Sequence, residues 1–398
     1  MREEYRLLGD FIQPVDERNR DLKVDYLLGV SISKQFIPSI ANIVGTDLSS
    51  YKIVRSGQFA YGPVTSRNGE KISIALLRDN DCIISSSYTV FEVVNKNELD
   101  PEYLMLWFSR PEFDRYARYM SHGSVREIFD WDELCKVELP VPSIDKQRSI
   151  VKAYQTITER IELKRRINDN LAKTIKAVFK SWFLDFDAFD GVELVQSQYG
   201  LIPNGWHYEL LGNLCDCVTK GTTPTTLGKD FTDTGINFIK GESINDDHSF
   251  NKTLFAHIDD ETDELLKRSR IYVNDIVFTI AGTLGKFALV DSSVVPANTN
   301  QAVAIIRTSK IMPAMLYSYF IGEWQVEFYK RNTQQAVQAN LSLGTIKDLP
   351  ILLPDSRGQD HYMQLVTPLI GGMQNNFSEI ERLYELQNQL LARLSSSR

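Results

Sequence analysis

The chain has 398 residues, 43% of them apolar and 24% charged, with a net charge of −8 and a pI near 5.3. That length suits two or more domains better than one core, and the acidic total excludes a nucleic-acid binder that relies on bulk positive charge. No apolar run reaches bilayer length, and the opening "MREEYRLLGDF" lacks the form of a signal peptide, so a cytoplasmic protein is expected, with no membrane partner.

In chain order, residues 1–143 read as a first globular domain. Its β-rich runs include "KIVRSGQFAY" (52–61) and "SSSYTVFEVV" (85–94), and a helix follows at 100–120. The apolar run "VELPVP" then stops at two prolines, and a long helix is predicted over 144–184. Its apolar residues recur at Ile150, Tyr154, Ile157, Ile161, Leu171, Ile175, Val178 and Trp182, the 4-3 spacing of a coiled-coil seam, with Lys164 and Asn168 as polar seats. Between Lys146 and Lys180 this helix carries ten bases against three acids, a basic element inside an acidic chain. Residues 185–205, acidic, aromatic and Gly-containing, read as a linker. A second domain spans 206–355, with β-rich runs at 236–240, 270–280 and 301–307 and a helix at 312–331. A second long helix, 356–398, presents Val366, Ile370, Met373, Phe377, Ile380, Tyr384, Leu391 and Leu394, with Gln387 as its polar seat.

The chain repeats itself. Val125–Pro142 lies over Val337–Pro354, matching Phe129 with Leu341, Trp131 with Leu343, Leu134 with Ile346 and, beyond, Gln147 with Gln359. The openings "RLLGDFI" and "ELLGNLC" also match, and 52–61 resembles 270–279. The expected fold is therefore α+β: two similar globular domains joined by two long helices that pair as an antiparallel coiled coil, with an internal pseudo-two-fold repeat. A helix of about 35 residues spans roughly 50 Å.

Catalytic signatures are missing from the sequence. "AGTLGKF" (281–287) lacks the first Gly and the final Ser or Thr of a phosphate loop. No Asn-Pro-Pro-aromatic motif is present to hold a flipped adenine. Asp130, Asp132 and Glu133 with Lys136 read as a solvated turn, because the second copy has Ser342, Gly344, Thr345 and Asp348 there. The four cysteines, 82, 135, 215 and 217, form no metal spacing and read as reduced thiols. No catalytic residue and no metal ligand is assigned. The pattern is that of a protein that positions something.

At this level the chain resembles the specificity subunit of type I restriction-modification systems over essentially its whole length. The likeness rests on "KGTTPT" (220–225), "INFIKGESI" (236–244), "VNDIVFTIAGTLGKFALV" (273–290) and "NTNQAVAII" (298–306) in the second domain. In the first it rests on "YKIVRSGQFAYGPVTSRNG" (51–69) and "IISSSYTVFEV" (83–93), with the domain exit "LPVPSIDKQRSIV" and entry "GLIPNGWHYELLGNL". Ser stands in "IISSSY" where such domains often have Pro, and "LPDSRGQ" is a degenerate exit. The resemblance implies a non-catalytic, DNA-binding subunit with two target recognition domains, each reading half of a split double-stranded sequence. It implies docking of methyltransferase subunits, which carry S-adenosylmethionine, and of restriction subunits, which use ATP and Mg. No cofactor is expected on this chain itself. The alternative is a coiled-coil protein-interaction adaptor without DNA specificity.

Base reading requires side chains with paired donors and acceptors. The candidates are Arg55, Gln58, Tyr61, Arg67, Asn68, Lys71 and Tyr88 in the first domain. In the second they are Lys220, Thr222, Thr223, Lys240, Thr283, Lys286, Asn298, Asn300 and Gln301. The Lys and Arg members are expected to meet phosphate more than bases. The helix seam, with Ile150 to Trp182 on one side and Val366 to Leu391 on the other, is the expected partner-docking element.

Overall fold

The computed structural model describes residues 5–39, 45–66, 68–69, 71–123, 126–189, 191–333 and 340–394. It divides into unit 1, Met1–Ile161 with Glu381–Arg398, and unit 2, Glu162–Ile380.

Unit 1 is built on an antiparallel four-stranded sheet in the order Ile12–Val15, Thr89–Val93, Phe59–Tyr61, Ile74–Leu76. Alternation along the strands sorts the two faces. Phe59, Tyr61 and Phe91 join the core under helices Pro101–Phe108 and Pro111–Tyr119, with the Phe59 and Phe91 rings stacked at 4.9 Å. Ala60, Ala75 and Val90 face a second layer of short strands that includes Lys52–Val54 and Cys82–Ile84. Asp100 starts the first of these helices by accepting the amides of Glu102 and Tyr103, with Pro101 in the first turn.

Unit 2 has the same plan. Its sheet runs Cys215–Lys220, Val303–Thr308, Ile276–Thr279, Phe287–Leu289, again antiparallel. Ile276, Phe278, Ala304 and Ile306 face helices Pro313–Ile321 and Trp324–Thr333, while Val277, Ala288, Val303 and Ile305 face the opposite layer. That layer contains Ile236–Ile239 paired in parallel with Ala297–Thr299.

The repeat extends to single hydrogen bonds. Strand Tyr5–Leu7 pairs with Glu138–Pro140 as His207–Leu210 pairs with Pro350–Leu353. The Leu8 amide donates to Val137 O at 2.8 Å, and the Leu211 amide to Leu349 O at 2.9 Å. Gly9 and Gly212 occupy matching tight corners: a Cβ on either would lie 2.9 Å from the Cβ of Cys135 or Lys347. Two details differ from expectation. Laying 52–61 over 270–279 sets Phe59 on Val277, yet Phe59 faces the helices as Ile276 and Phe278 do, a one-residue slip that reverses the face. Residues 185–205 are also more than a linker. They include the hairpin Leu194–Ser197/Gly200–Pro203, and Phe186, Phe189 and Ile202 pack into the core of unit 2. Val125 and Val337, the first pair of the sequence repeat, lie outside the described residues.

The long helices are Ile144–Phe183 and Ser356–Arg393, and each has residues in both units. Within unit 2 they run antiparallel: Lys164 meets Asn376 and Glu379, Asn168 meets Met373, and Trp182 meets His361 and Tyr362. Ile175, Val366, Ile370 and Met373 are buried between them, with Leu171 and Phe377 at the margin. Within unit 1, Gln387 donates to Thr158 Oγ1 at 2.7 Å, and Val151 and Leu391 share a core that Ile150 and Tyr154 flank. Ile157, Ile161 and Ile380 are buried, whereas Tyr384 is 39% exposed. Phe179 and Phe183, absent from the predicted seam, are fully buried, and Gly322 leaves the space that the Phe179 ring fills. Among the described residues no helix is long and apolar enough to cross a membrane.

Candidate nucleic-acid interface

In unit 2 the predicted residues converge at one end of the four-stranded sheet. Lys220 ends the edge strand, Thr279 ends the third, and Val303 begins the strand between them. The connecting loops are tied to one another. The Gly221 amide donates to Asn300 O at 3.0 Å, and Thr223 Oγ1 donates to Gln301 Oε1 at 2.6 Å. The Ile280 amide donates to Ala302 O at 2.8 Å. Gly221 is required there, because a Cβ would sit 1.7 Å from the carbonyl oxygen of Thr299. Thr283 lies exposed in the turn 281–286, where Gly282 and Gly285 take positive φ and the Lys286 amide bonds Thr279 Oγ1 at 2.9 Å.

The cations of this cluster are only loosely held. Lys286 pairs at 3.0 Å with Asp246, whose side chain is 89% exposed. Lys240 lies 4.8 Å over the Phe231 ring and 4.0 Å from Glu242. Such exposed pairs are weak, so a phosphate competes well for these lysines. Lys220 and Thr222 are open or half-open, and Asn300 spends its Oδ1 on the Ala302 amide as a turn residue.

Asn298 is corrected. It is fully buried, donating to Asp263 and to Leu266 O and accepting from Ser269 and the Thr299 amide. It holds the layer beneath the cluster and reaches no base in this conformation.

Unit 1 divides its candidates. Asn68 and Lys71 follow strand Phe59–Tyr61 and Tyr88 precedes Thr89–Val93, so these three correspond to the unit 2 cluster. Asn68 anchors a turn through Val64 O at 3.3 Å, Lys71 is exposed, and Tyr88 packs on Gly62. Arg67 lies outside the described residues. Two others, Tyr61 and Gln58, are corrected. Tyr61 is fully buried, and burial pushes its hydroxyl well above the usual tyrosine range. Gln58 is buried, bonding the Arg55 amide and Glu92. Arg55 precedes the strand, and its guanidinium is engaged by both Glu17 and Asp81, which hold its pKa above the ordinary value. These pairs are exposed, like those of Lys286 and Lys240; what sets Arg55 apart is its place before the strand, whereas Asn68 and Lys71 follow it.

Sequence reading passed over Arg268, which is exposed and donates to Lys220 O at 3.4 Å beside the unit 2 cluster. It also passed over exposed His122 and Arg126. Their segment is held to Thr65, whose amide donates to Glu127 O at 2.9 Å and whose Oγ1 donates to Ser121 Oγ at 2.9 Å. Neither has a local signal, since both are placed by tertiary contacts. Among the described residues no cluster of three His, Cys, Asp or Glu side chains could hold a metal.

Two stretches of the chain, residues 40–173 and 203–382, each match the model of the type I restriction modification DNA specificity domain. The chain belongs to that family. Each match covers most of one globular domain and runs on into the long helix that follows it. The HindI specificity subunit of Haemophilus influenzae is 23% identical, with 89% of each chain covered. The MjaIX specificity subunit of Methanocaldococcus jannaschii is 24% identical over 76% of this chain and 70% of its own. The fold is similar to the crystal structure of the type I S subunit from M. genitalium, with a TM-score of 0.52, 14% identity, and 98% of this chain and 95% of that one covered.

Proposed function

We propose that this chain reads a bipartite double-stranded DNA target, one half-site per unit, and docks the methyltransferase and restriction subunits of a type I restriction-modification system. As a specificity subunit it supplies recognition and no reaction of its own. The observation that supports this reading most is the duplication of one recognition framework: the same sheet order, the same closing strand pair, and loops gathered at the same sheet end in both units. The tethered loops of unit 2 offer Thr223, Thr283 and Gln301 as hydrogen-bonding groups and Lys220, Lys240, Lys286 and Arg268 for phosphates. In unit 1 Asn68, Lys71 and Tyr88 take the corresponding place.

A protein of net charge −8 needs help to neutralise DNA, and methyltransferase subunits would contribute it. The long helices, of 40 and 38 residues, would set the unread gap between half-sites and supply the docking surface. S-adenosylmethionine, ATP and Mg belong to the partners in this scheme, and the complex works in the cytoplasm.

The test co-expresses the chain with the methyltransferase subunit encoded beside it and maps N6-methyladenine in host DNA. Methylation at one split motif, present only with this chain, supports the proposal. A stable complex that adds no methylation sinks it and favours the protein-interaction adaptor.

A further inference from the structure

We infer that Asn298 is a positioning residue for target binding by unit 2: it pins the turn that presents Arg268 to a DNA phosphate, a role that rests on the DNA-reading function proposed for this chain.

The side-chain amide of Asn298 is fully buried, and all of its hydrogen-bonding capacity is used. Nδ2 donates to Asp263 Oδ1 at 3.0 Å and to Leu266 O at 3.1 Å. Oδ1 accepts from Ser269 Oγ at 2.7 Å and from the Thr299 amide at 2.9 Å. Leu266 and Ser269 are the two ends of a tight turn that the Ser269 amide closes on Leu266 O at 2.9 Å. One side chain therefore grips both ends of the turn that carries Arg268. The same strand also meets the chain just beyond the turn, where the Ile271 amide donates to Ala297 O at 2.8 Å. Thr299 leads directly into Asn300 and Gln301, and Asn300 O accepts the Gly221 amide. The turn and the loop cluster thus share one buried amide as their support.

Charge singles out Arg268 within that turn. Lys267 pairs with Glu264 at 3.0 Å, and Arg270 is held by Asp263 and Glu264 at 2.6 and 2.7 Å. Among the described residues Arg268 has no carboxylate partner, and its exposed guanidinium donates to the neutral carbonyl of Lys220 at 3.4 Å. That leaves its charge and most of its planar fork for a phosphate at the end of the edge strand. A phosphate contact made from a loose turn would also have to order the backbone. A turn already fixed at both ends avoids that cost.

The test uses the full chain in complex with the methyltransferase subunit and two labelled duplexes, one with the split motif that methylation mapping returns and one scrambled. Dissociation constants are measured by fluorescence anisotropy across about 50–200 mM salt. Arg268→Ala, an exposed substitution, should lower the slope of log affinity against log salt by about one. Asn298→Ala should lower it by the same amount, although its side chain reaches no phosphate. The two changes together should lose no more than either alone. A residue that only stabilised the core would lower the melting temperature and leave the slope where it was. Ser269→Ala removes one bond of the grip and takes the place of Asn298→Ala if that variant does not assemble, with the same non-additivity expected. An unchanged slope in Arg268→Ala, an unchanged slope in the Asn298 or Ser269 variant, or an additive loss in the double variant would overturn the inference. A wild-type chain that yields no motif, or a wild-type complex without preference for it, would overturn the DNA-reading function itself, and the role of Asn298 with it.

Discussion

Asn376 donates its Nδ2 to the Oδ1 of Asn168 at 2.7 Å, both side chains buried between the long helices of unit 2. Lys164 joins them, donating to Asn376 Oδ1 at 2.9 Å and pairing with Glu379 at 2.8 Å, and Asn168 donates to Met373 O at 3.2 Å. A polar layer of this kind fixes register, because any slip strands buried donors and acceptors. Asn376→Leu alone should destabilise by about 1–3 kcal/mol. Asn168→Leu with Asn376→Leu should recover part of that loss, since two apolar partners replace one orphaned amide. Thermal unfolding of the four proteins of this cycle decides it, and additive effects would show that the two amides are not coupled.

Gly221 and Gly282 separate two reasons for glycine. At Gly221 an added Cβ meets backbone at 1.7 Å, whereas at Gly282 there is open space but φ is +75°. Gly282→Ala should cost about 1 kcal/mol of strain. Gly221→Ala must displace the Thr299–Asn300 backbone and should cost about 3 kcal/mol or more. Comparable melting temperatures for the two variants would contradict the geometry.

Gln147 and Gln359 close the two exits alike, each Nε2 donating to the carbonyl of the residue five positions earlier, Pro142 or Pro354, at 2.8 and 2.9 Å. Gln147 also bonds Glu98 O and the Asp100 amide and is fully buried. Gln147→Ala should therefore destabilise by about 2–4 kcal/mol and Gln359→Ala by about 1 kcal/mol. Denaturant midpoints for unit-specific probes, such as tryptophans in each unit, would reveal a reversed order.

The sequence makes the repeat and the long helices legible because periodicity, paired prolines and the Gln147/Gln359 match are local features. It does not reveal which strand face turns inward. Tyr61 and Asn298 look like readers of bases and are buried, because period-two alternation in a sheet packed on both sides hides polar residues as readily as apolar ones. Arg55 looks free until the fold brings Glu17 and Asp81 to it. Arg268 sits 48 positions from the carbonyl it meets, so only the tertiary structure places it beside Lys220.

His248 gives unit 2 a pH dependence. Its ring stacks on Phe287 at 4.1 Å, and burial lowers its pKa from the ordinary 6.5, against the opposing pull of Asp247 and Asp246. The native chain thus refuses a proton that the unfolded chain accepts. Stability should fall as pH drops through about 6.5 and level off below the folded value. His248→Asn, which tolerates the positive φ there, should be less stable overall and show a flatter profile between pH 7 and 5. Parallel melting curves against pH for the two proteins would exclude His248 as the source.

The claim that each unit reads one half of a split target is tested most directly by comparing methylation motifs. The chain and its Lys220→Ala/Thr223→Ala/Gln301→Ala variant would each be expressed with the methyltransferase subunit, and N6-methyladenine mapped in the same host. The account predicts that one half of the motif relaxes or changes while the other half and the gap stay fixed. Loss of both halves together with a folded complex, or an unchanged motif, would contradict it.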